Sequence, residues 1–415
     1  MANTWTQDDV TIYKNVIKSF EDNLNTSLNV AVHGENGELM ERGNDIIRRP
    51  VPMIVQGTDR TVGSAVSTRD VTDLYVESQL DKSKVVPLTL NAKEQRDPRR
   101  FTEMTRAAGQ RLASNIEQDV QTEIGNYGSL VVSQSALASA SGYDEVAEAE
   151  ALMLELGLEA DPRCLALNAR DYNGLAGDLS KASRSFGNEK SDTAYERSAL
   201  GMIAGFDTYK LGAGKSLAGA AGTGLTMATN GALVQFAPAA NQDNSTQQIT
   251  ISATTGVVAG DCFTVAGINA VNMISKESTN QPKTFRVVSV DSGTTMTISP
   301  PMIGAGGGAD PEEDYQNIDV ASTSATAAIS FINTTTANMN YFWTKDSIEI
   351  LAGRYSVPSD EGPAVMKGTT DQGIELCMVK DFSGSTYTST YYFDIFYGVT
   401  NLAREKNGIL LFGQV

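Results

Sequence analysis

One histidine, three cysteines and two tryptophans are spread over 415 residues, and that scarcity removes whole classes of chemistry. His33 sits in the polar stretch VHGENGELMERGND with no Cys or His at ligand spacing, so hydrolytic triads and histidine-based metal centres lack their parts. Cys164, Cys262 and Cys377 lie about a hundred residues apart, an odd number without metal-ligand spacing and no basis for a disulfide framework. A reducing cytosol is the natural compartment. Basic residues are short as well: 32 Lys and Arg face 50 Asp and Glu, for a formal net charge of -18. Nucleic-acid binding needs clustered Lys and Arg, so any DNA near this protein is contained rather than gripped. Long hydrophobic runs are missing too. The uncharged stretch Ser216 to Gln242 is built of Gly, Ala, Thr and Asn rather than Leu, Ile and Phe, so no membrane span is expected. The N-terminus MANTWTQDDVTIYKNV has neither the basic flank nor the apolar core of a signal peptide.

With 41% hydrophobic and 20% charged residues, the composition is that of a globular chain with material for two or three domains. The strongest positive signal is PRRFTEMTRAAGQRLASNIEQDVQTEIGNY, Pro98 to Tyr127. Its apolar residues Phe101, Met104, Ala108, Leu112, Ile116, Val120, Ile124 and Tyr127 recur at steps of three or four and predict one long amphipathic helix, roughly 45 Å at 1.5 Å per residue. Asp97 before Pro98 marks its start, and Gly125 and Gly128 mark its end. Arg99, Arg100, Arg106 and Arg111 fill the first half, and Glu117, Asp119 and Glu123 the second, against the helix dipole. That order fits either a solvated face or ends that meet opposite charge on a neighbouring element or subunit.

Before the long helix, Val10, Tyr13, Val16, Ile17 and Phe20 predict a short helix in an N-terminal arm. The runs IIRRPVPMIV, DLYVES and KVVPLTL then flank a polar, glycine-containing tract and read as an extended two-stranded loop, with Pro50, Pro52 and Pro87 pointing to edge strands. After the long helix, Tyr143 to Leu158 reads as a second helix, Cys164 to Leu167 as a buried strand, and Asn168 to Tyr172 as a loop into a further helix. Beyond about Lys210 the chain becomes rich in Thr, Ser, Ala and Gly. The runs QITISA, CFTVAG, TFRVVSV and TMTISP, the last two joined by the turn Asp291-Ser292-Gly293, predict a small antiparallel barrel or sandwich inserted into a host domain.

The near-motifs carry little. LGAGKS, Leu211 to Ser216, resembles the end of a phosphate loop, but Tyr209 stands where that motif needs glycine, and no helix pattern comes after it. The acids of DPEEDYQNID, Asp310 to Asp319, lack the alternating oxygen ligands and glycine of a calcium loop. No catalytic residue, cofactor site or metal site is expected. Tyr391, Tyr392, Phe393, Phe396 and Tyr397 read as core of a strand rather than a ligand cage.

RLASNIEQDVQTEIGNYGSLVVS, NARDY, AGFDTYKL, ISATTGVVAGD, NYFWTKDSIEI and YGVTNLAREKNGILLFGQ are collinear strings spanning most of the chain. In them the chain resembles the major capsid (coat) proteins of Salmonella-type short-tailed bacteriophages. The resemblance implies an α+β fold of the Hong Kong phage capsid type with an inserted β-barrel. It further implies an N-terminal arm 1–45, an extended β-loop 46–92 reaching over a neighbouring subunit, and a peripheral domain 93–134 with a spine helix. An axial domain would comprise 135–210 and 340–395, the inserted barrel 211–339, and a C-terminal return 396–415. The implied function is self-assembly, through hexamers and pentamers, into an icosahedral procapsid in the host bacterial cytoplasm, directed by a scaffolding protein and a portal protein, with expansion to enclose double-stranded DNA. Asp8, Asp9, Glu21 and Asp22 are, on the same resemblance, candidate contacts for a basic scaffolding segment. A phage tail or decoration protein is the alternative from a neighbouring class, and a nucleotide-binding enzyme using Gly214 to Ser216 is the alternative from a distant one.

Overall fold

A computed structural model describes residues 7–33, 46–52, 54–55, 62–63, 73–91, 93–94, 97–134, 143–158, 162–182, 197–212, 214–228, 231–232, 243–304, 314–324, 326–355, 364–371 and 373–414. The chain divides into two compact units, one of Met1–Ile47, Glu77–Gln121 and Ile348–Thr400, the other of Arg48–Val76, Thr122–Ser347 and Asn401–Val415.

In the first unit, helix α1 (Gln7–Glu21) buries Tyr13, Val16 and Phe20 of the expected stripe and leaves Val10 and Ile17 half-buried, while Ile12, which the stripe did not include, is buried with them. Helix α2 covers Pro98–Tyr127, as expected, and buries Ala108, Leu112, Ile116, Val120 and Ile124 along one side. Asp97 caps it by accepting the Arg99 N–H at 3.1 Å. Gly109 allows the two helices to touch: a Cβ there would stand 2.8 Å from the Val16 carbonyl oxygen and 2.9 Å from the Phe20 nitrogen. A six-stranded sheet completes the unit, in the order Ala31–His33, Ile348–Ala352, Thr388–Asn401, Glu375–Ser383, Ala364–Thr369, with Lys82–Asn91 also paired to Thr388–Asn401.

One expectation changes here. KVVPLTL does not share the loop's sheet: Lys82–Asn91 is antiparallel to Thr388–Asn401 from Asn91↔Thr388 to Lys82↔Tyr397. It has no second strand partner among the described residues, which is where Pro87, lacking an N–H to donate, is tolerated. Residues 348–400 group by packing with α1 and the first part of α2, and the long strand Thr388–Asn401 is hydrogen bonded to Lys82–Asn91. The loop itself is a two-stranded ribbon of Ile46–Pro50 and Tyr75–Gln79.

The second unit contains a seven-stranded mixed sheet, in the order Leu130–Gln134, Asn407–Phe412, Ala337–Thr344, Arg163–Asn168, Phe206–Leu211, Met202–Ile203, with Ser216–Leu217 on Ala337–Thr344. Helices α3 (Tyr143–Glu155) and α4 (Ala169–Ala182) add Val146, Met153 and Leu175 to a core with Leu165, Phe206, Phe342 and Leu410. Asn168 to Tyr172 is not a loop: α4 begins at Ala169, directly after the strand. Asn340 makes that abrupt change possible. Its Oδ1 accepts the Asn168 N–H at 2.8 Å and its Nδ2 donates to Asp171, in the first turn of α4, at 2.9 Å.

The inserted region forms a five-stranded antiparallel sheet in the order Gln247–Thr250, Thr295–Ser299, Ser278–Val290, Cys262–Val271, Ile329–Phe331. Its two edge strands are joined by residues 225–228 through the bridges Met227↔Ile251 and Thr226↔Ala328, which close it into a barrel. Phe263, Val265, Phe285, Val287, Met296 and Ile298 fill its interior, every second residue along each strand. No described helix is long and apolar enough to cross a membrane.

Candidate functional site

The four acids singled out on the arm do not act alike. Asp9 lies on the apolar stripe of α1 and is 2% exposed. Its carboxylate accepts both hydrogen bonds of the Lys380 ammonium, at 2.9 and 3.0 Å, and one from the Tyr391 hydroxyl at 3.2 Å. It is an internal strut, and the signal was available: positions 9, 13, 16 and 20 repeat at helical spacing. Glu21 is half-buried and accepts the Asp371 N–H at 3.1 Å, Asp22 is exposed, and the Asp8 side chain lies outside the described residues. Among the described side chains of the candidate set, Glu21 and Asp22 present an acidic edge.

Sequence reasoning missed a stronger acidic site. Glu117, on α2, is 9% exposed and gathers the turn after α1 around its two oxygens. It accepts N–H groups of Asn25, Thr26 and Ser27, each at 2.9 Å, the Ser27 hydroxyl at 2.8 Å, and the Thr26 hydroxyl. Successive N–H groups aimed at one point form an anion-binding nest, and here the anion is a side chain. Asp119, two residues on, accepts the Tyr397 hydroxyl at 2.6 Å and lies 3.4 Å from the Lys84 ammonium. These acids of the second half of α2 therefore meet donors, while Arg99, Arg106 and Arg111 of the first half are exposed.

The C-terminal carbonyls of α2 are capped from the barrel. Arg286, fully buried between Phe285 and Val287, donates to the Gly125 carbonyl, to the Gly260 carbonyl at 3.0 Å and to the Cys262 sulfur. The Ser299 hydroxyl donates to the Tyr127 carbonyl at 3.2 Å. A cation at a helix C-terminus satisfies orphan carbonyls and the dipole together. Arg404 stacks 4.5 Å from the Tyr127 ring and donates to the Ser245 carbonyl at 3.1 Å; burial lowers its pKa. These guanidiniums are internal braces.

The remaining candidates are also engaged. His33 Nδ1 is 3.7 Å from Glu349 Oε1. Just past Gly214 runs the short strand Ser216–Leu217, paired with Ala337–Thr344, so no helix N-terminus is offered to a phosphate, and Lys215 donates to Thr122. Asp319 accepts the backbone and side-chain N–H groups of Asn269 and the Ser278 hydroxyl, all at 2.9 Å, bracing a hairpin. Among the described residues no three His, Cys, Asp or Glu side chains converge. All three thiols are buried; burial pushes Cys164 up to about 12, Cys377 up to about 11, and Cys262 upward too. None is held as a nucleophilic thiolate at neutral pH.

Asp9, Glu117, Arg286 and Arg404 each tie one part of the chain to another, which is the arrangement of a load-carrying part rather than of a reaction centre. A family model described as P22 coat protein, gene protein 5, matches residues 1–413. Among solved structures, the chain is similar to a CUS-3 coat protein I-domain, with 36% identity, 27% of this chain and 98% of that chain covered, and a TM-score of 0.23. It is similar to a structure from Mycobacterium phage Che8, with 9% identity, 92% and 88% coverage and a TM-score of 0.44. A virus-like particle from Pyrococcus furiosus shows 7% identity, 98% and 100% coverage and a TM-score of 0.41.

Proposed function

The chain belongs to the P22 coat protein family, has the Hong Kong phage capsid fold with an inserted β-barrel, and is a major capsid protein of an icosahedral virion shell; from that premise we propose how it is used. It assembles in the host bacterial cytoplasm into a procapsid, through hexamers and pentamers, under direction of a scaffolding protein and a portal protein, and the shell expands as double-stranded DNA is packaged. The reading is of a part whose work is geometric, with no catalytic step and no cofactor. The observation that supports it is the thirty-residue helix α2, held along its length by buried residues, by the Glu117 nest and, at its C-terminus, by Arg286. A beam fixed at several points transmits load between contacts with neighbouring copies. The net charge of -18 suits an enclosure that must not adsorb DNA.

The unit carrying α1, the first part of α2 and the six-stranded sheet is assigned the peripheral role, and the seven-stranded sheet with α3 and α4 the axial role. The extended loop is narrowed to the ribbon and its tip, residues 46–79. Asp8, Glu21 and Asp22 remain the proposed contacts for a basic scaffolding segment, since Asp9 is committed to Lys380. Electron microscopy of sedimented material from cells expressing the chain with and without a scaffolding protein tests the assembly reading: uniform closed shells are expected with it, and tubes or soluble subunits under both conditions refute it. Reversing Glu21 and Asp22 to lysine should abolish co-sedimentation of scaffold with shells, and unchanged binding sinks that contact.

A further inference from the structure

We infer that Tyr315 of the inserted barrel region is a positioning residue for the extended loop, clamping its two sides together at a neck formed by Val51 and Leu74, ahead of residues 52–73. This rests on the reading of that loop as the element that reaches a neighbouring subunit.

The neck is marked by the outermost backbone bond of the ribbon among the described residues, Val51 N–H to the Leu74 carbonyl at 2.8 Å. The Tyr315 hydroxyl joins both strands at this point. It accepts the Leu74 N–H at 3.2 Å and donates to the Val51 carbonyl at 3.5 Å, while its ring packs with Leu74, Val51 and Ile303. A second bond from the inserted region lies one residue further along, where the Asn244 N–H donates to the Tyr75 carbonyl at 3.0 Å. Asn244 is itself held: the Arg404 guanidinium grips the Ser245 carbonyl at 3.1 Å, and Asp243 accepts the Ser245 N–H at 2.9 Å.

Close packing does not fix the loop's direction here. A cavity of about 140 Å³ opens beside the neck, lined by Val51, Ile54 and Leu74 from the loop and by Pro301, Ile303 and Tyr315 from the inserted region. Side chains bordering a void lose contacts on that side, so they resist tilting weakly, and the directional hydrogen bonds of Tyr315 and Asn244 set the angle, those of Tyr315 being the ones that bridge both sides of the neck. The tip beyond the neck carries Val55 at 59% exposure and Val62 at 97%. Valines left so open have most to gain from burial against another copy, and how they are presented depends on the clamp.

Tyr315→Phe keeps the ring and removes the clamp. In hydrogen exchange of the soluble full-length chain, the Leu74 amide should exchange about tenfold faster, the loss of one hydrogen bond, with barrel amides over 247–299 unchanged. Unchanged exchange at Leu74 overturns the clamp, and loss of barrel protection makes Tyr315 a stability residue instead. In assembly with scaffolding protein, the variant should give shells of broader diameter distribution than the unaltered chain; uniform shells at the unaltered rate overturn the positioning role. If the unaltered chain itself forms no shells while Leu74 is loosened by the substitution, the clamp exists but the assembly reading beneath the proposal is what has failed.

Discussion

The inserted barrel and the first unit solve the same problem, holding a β-sheet to its surroundings, by opposite means. The barrel is drawn from one stretch of chain whose strands pair within that stretch, and its interior is apolar: Phe263, Phe285, Val287, Met296 and Ile298. The first unit gathers three separate stretches and marks the joins with buried carboxylates, Glu117 to residues about ninety positions away and Asp9 to Lys380 across 371. Loop closure is cheap in the first case and costly in the second. Apolar contact rewards any close approach, whereas a carboxylate rewards only one register, so directional groups are needed where segments far apart in sequence must find each other. The barrel should therefore be the autonomous part: an isolated 211–339 fragment should show a cooperative thermal transition, and its absence would erase the contrast.

The largest blow to the barrel is Phe285→Ala. The ring is fully buried, 5.7 Å from that of Phe263, and its removal should cost about 3–5 kcal/mol in both the fragment and the full chain. Glu117→Ala should cost about 3 kcal/mol in the full chain, because buried N–H groups of Thr26 and Ser27 lose their acceptor. Hydrogen exchange separates the two: protection should fall over 7–33 and 98–121 for Glu117→Ala and over 247–299 for Phe285→Ala. Overlapping patterns would mean that one cooperative unit, not two strategies, governs the chain. Lys380→Met takes the ammonium away from the buried Asp9 carboxylate and should cost about 2 kcal/mol, reduced from the cost of breaking a fully buried pair because the lysine is 24% exposed. Adding Asp9→Asn should recover part of that loss, and a double-mutant cycle that closes additively would deny the pair its role.

The same contrast governs what could be read in advance. The barrel strands announce themselves by alternation and by the turn at Asp291 to Gly293, and α2 by its stripe, its Asp97 cap and its terminal glycines, because each of these signals is local. The partner of Lys82–Asn91 could not be read, since Thr388–Asn401 is about three hundred residues away and Pro87 says only that the strand is an edge. Glu117 looked like one more charge on a helix face. Nothing near it in sequence reveals that the donors come from Asn25, Thr26 and Ser27. Arg286 was hidden in TFRVVSV for a related reason: alternation sends Phe285 and Val287 into the barrel and Arg286 to the opposite face, which is covered by the end of α2 only once the chain is folded. Asp9 is the exception, legible from its place on the stripe, where the resemblance drew attention to its charge instead.

Asp394 offers the smallest and most discriminating test, because among the described residues it is a carboxylate of the first unit that joins no segments. It is half-buried in the strand Thr388–Asn401, opposite Val85 and Cys377, and desolvation raises its pKa above the ordinary carboxylate value. The sign comes from linkage. A carboxyl whose pKa is higher in the folded state favours folding while protonated, so its favourable contribution is complete below the unfolded-state pKa of 3.8 and disappears as pH rises through the raised folded value. At neutral pH the ionised group is a penalty, unlike Asp9 and Glu117, whose charges are met by donors. Asp394→Asn should thus stabilise the chain at pH 7 by a few tenths of a kcal/mol, partial exposure screening the effect, and change little below the unfolded-state value. Denaturant titrations of the two chains across that pH range check it. A variant that is destabilised at pH 7 would show that Asp394 too has a partner that depends on its charge, and the distinction between joining and merely tolerated carboxylates in this unit would fall.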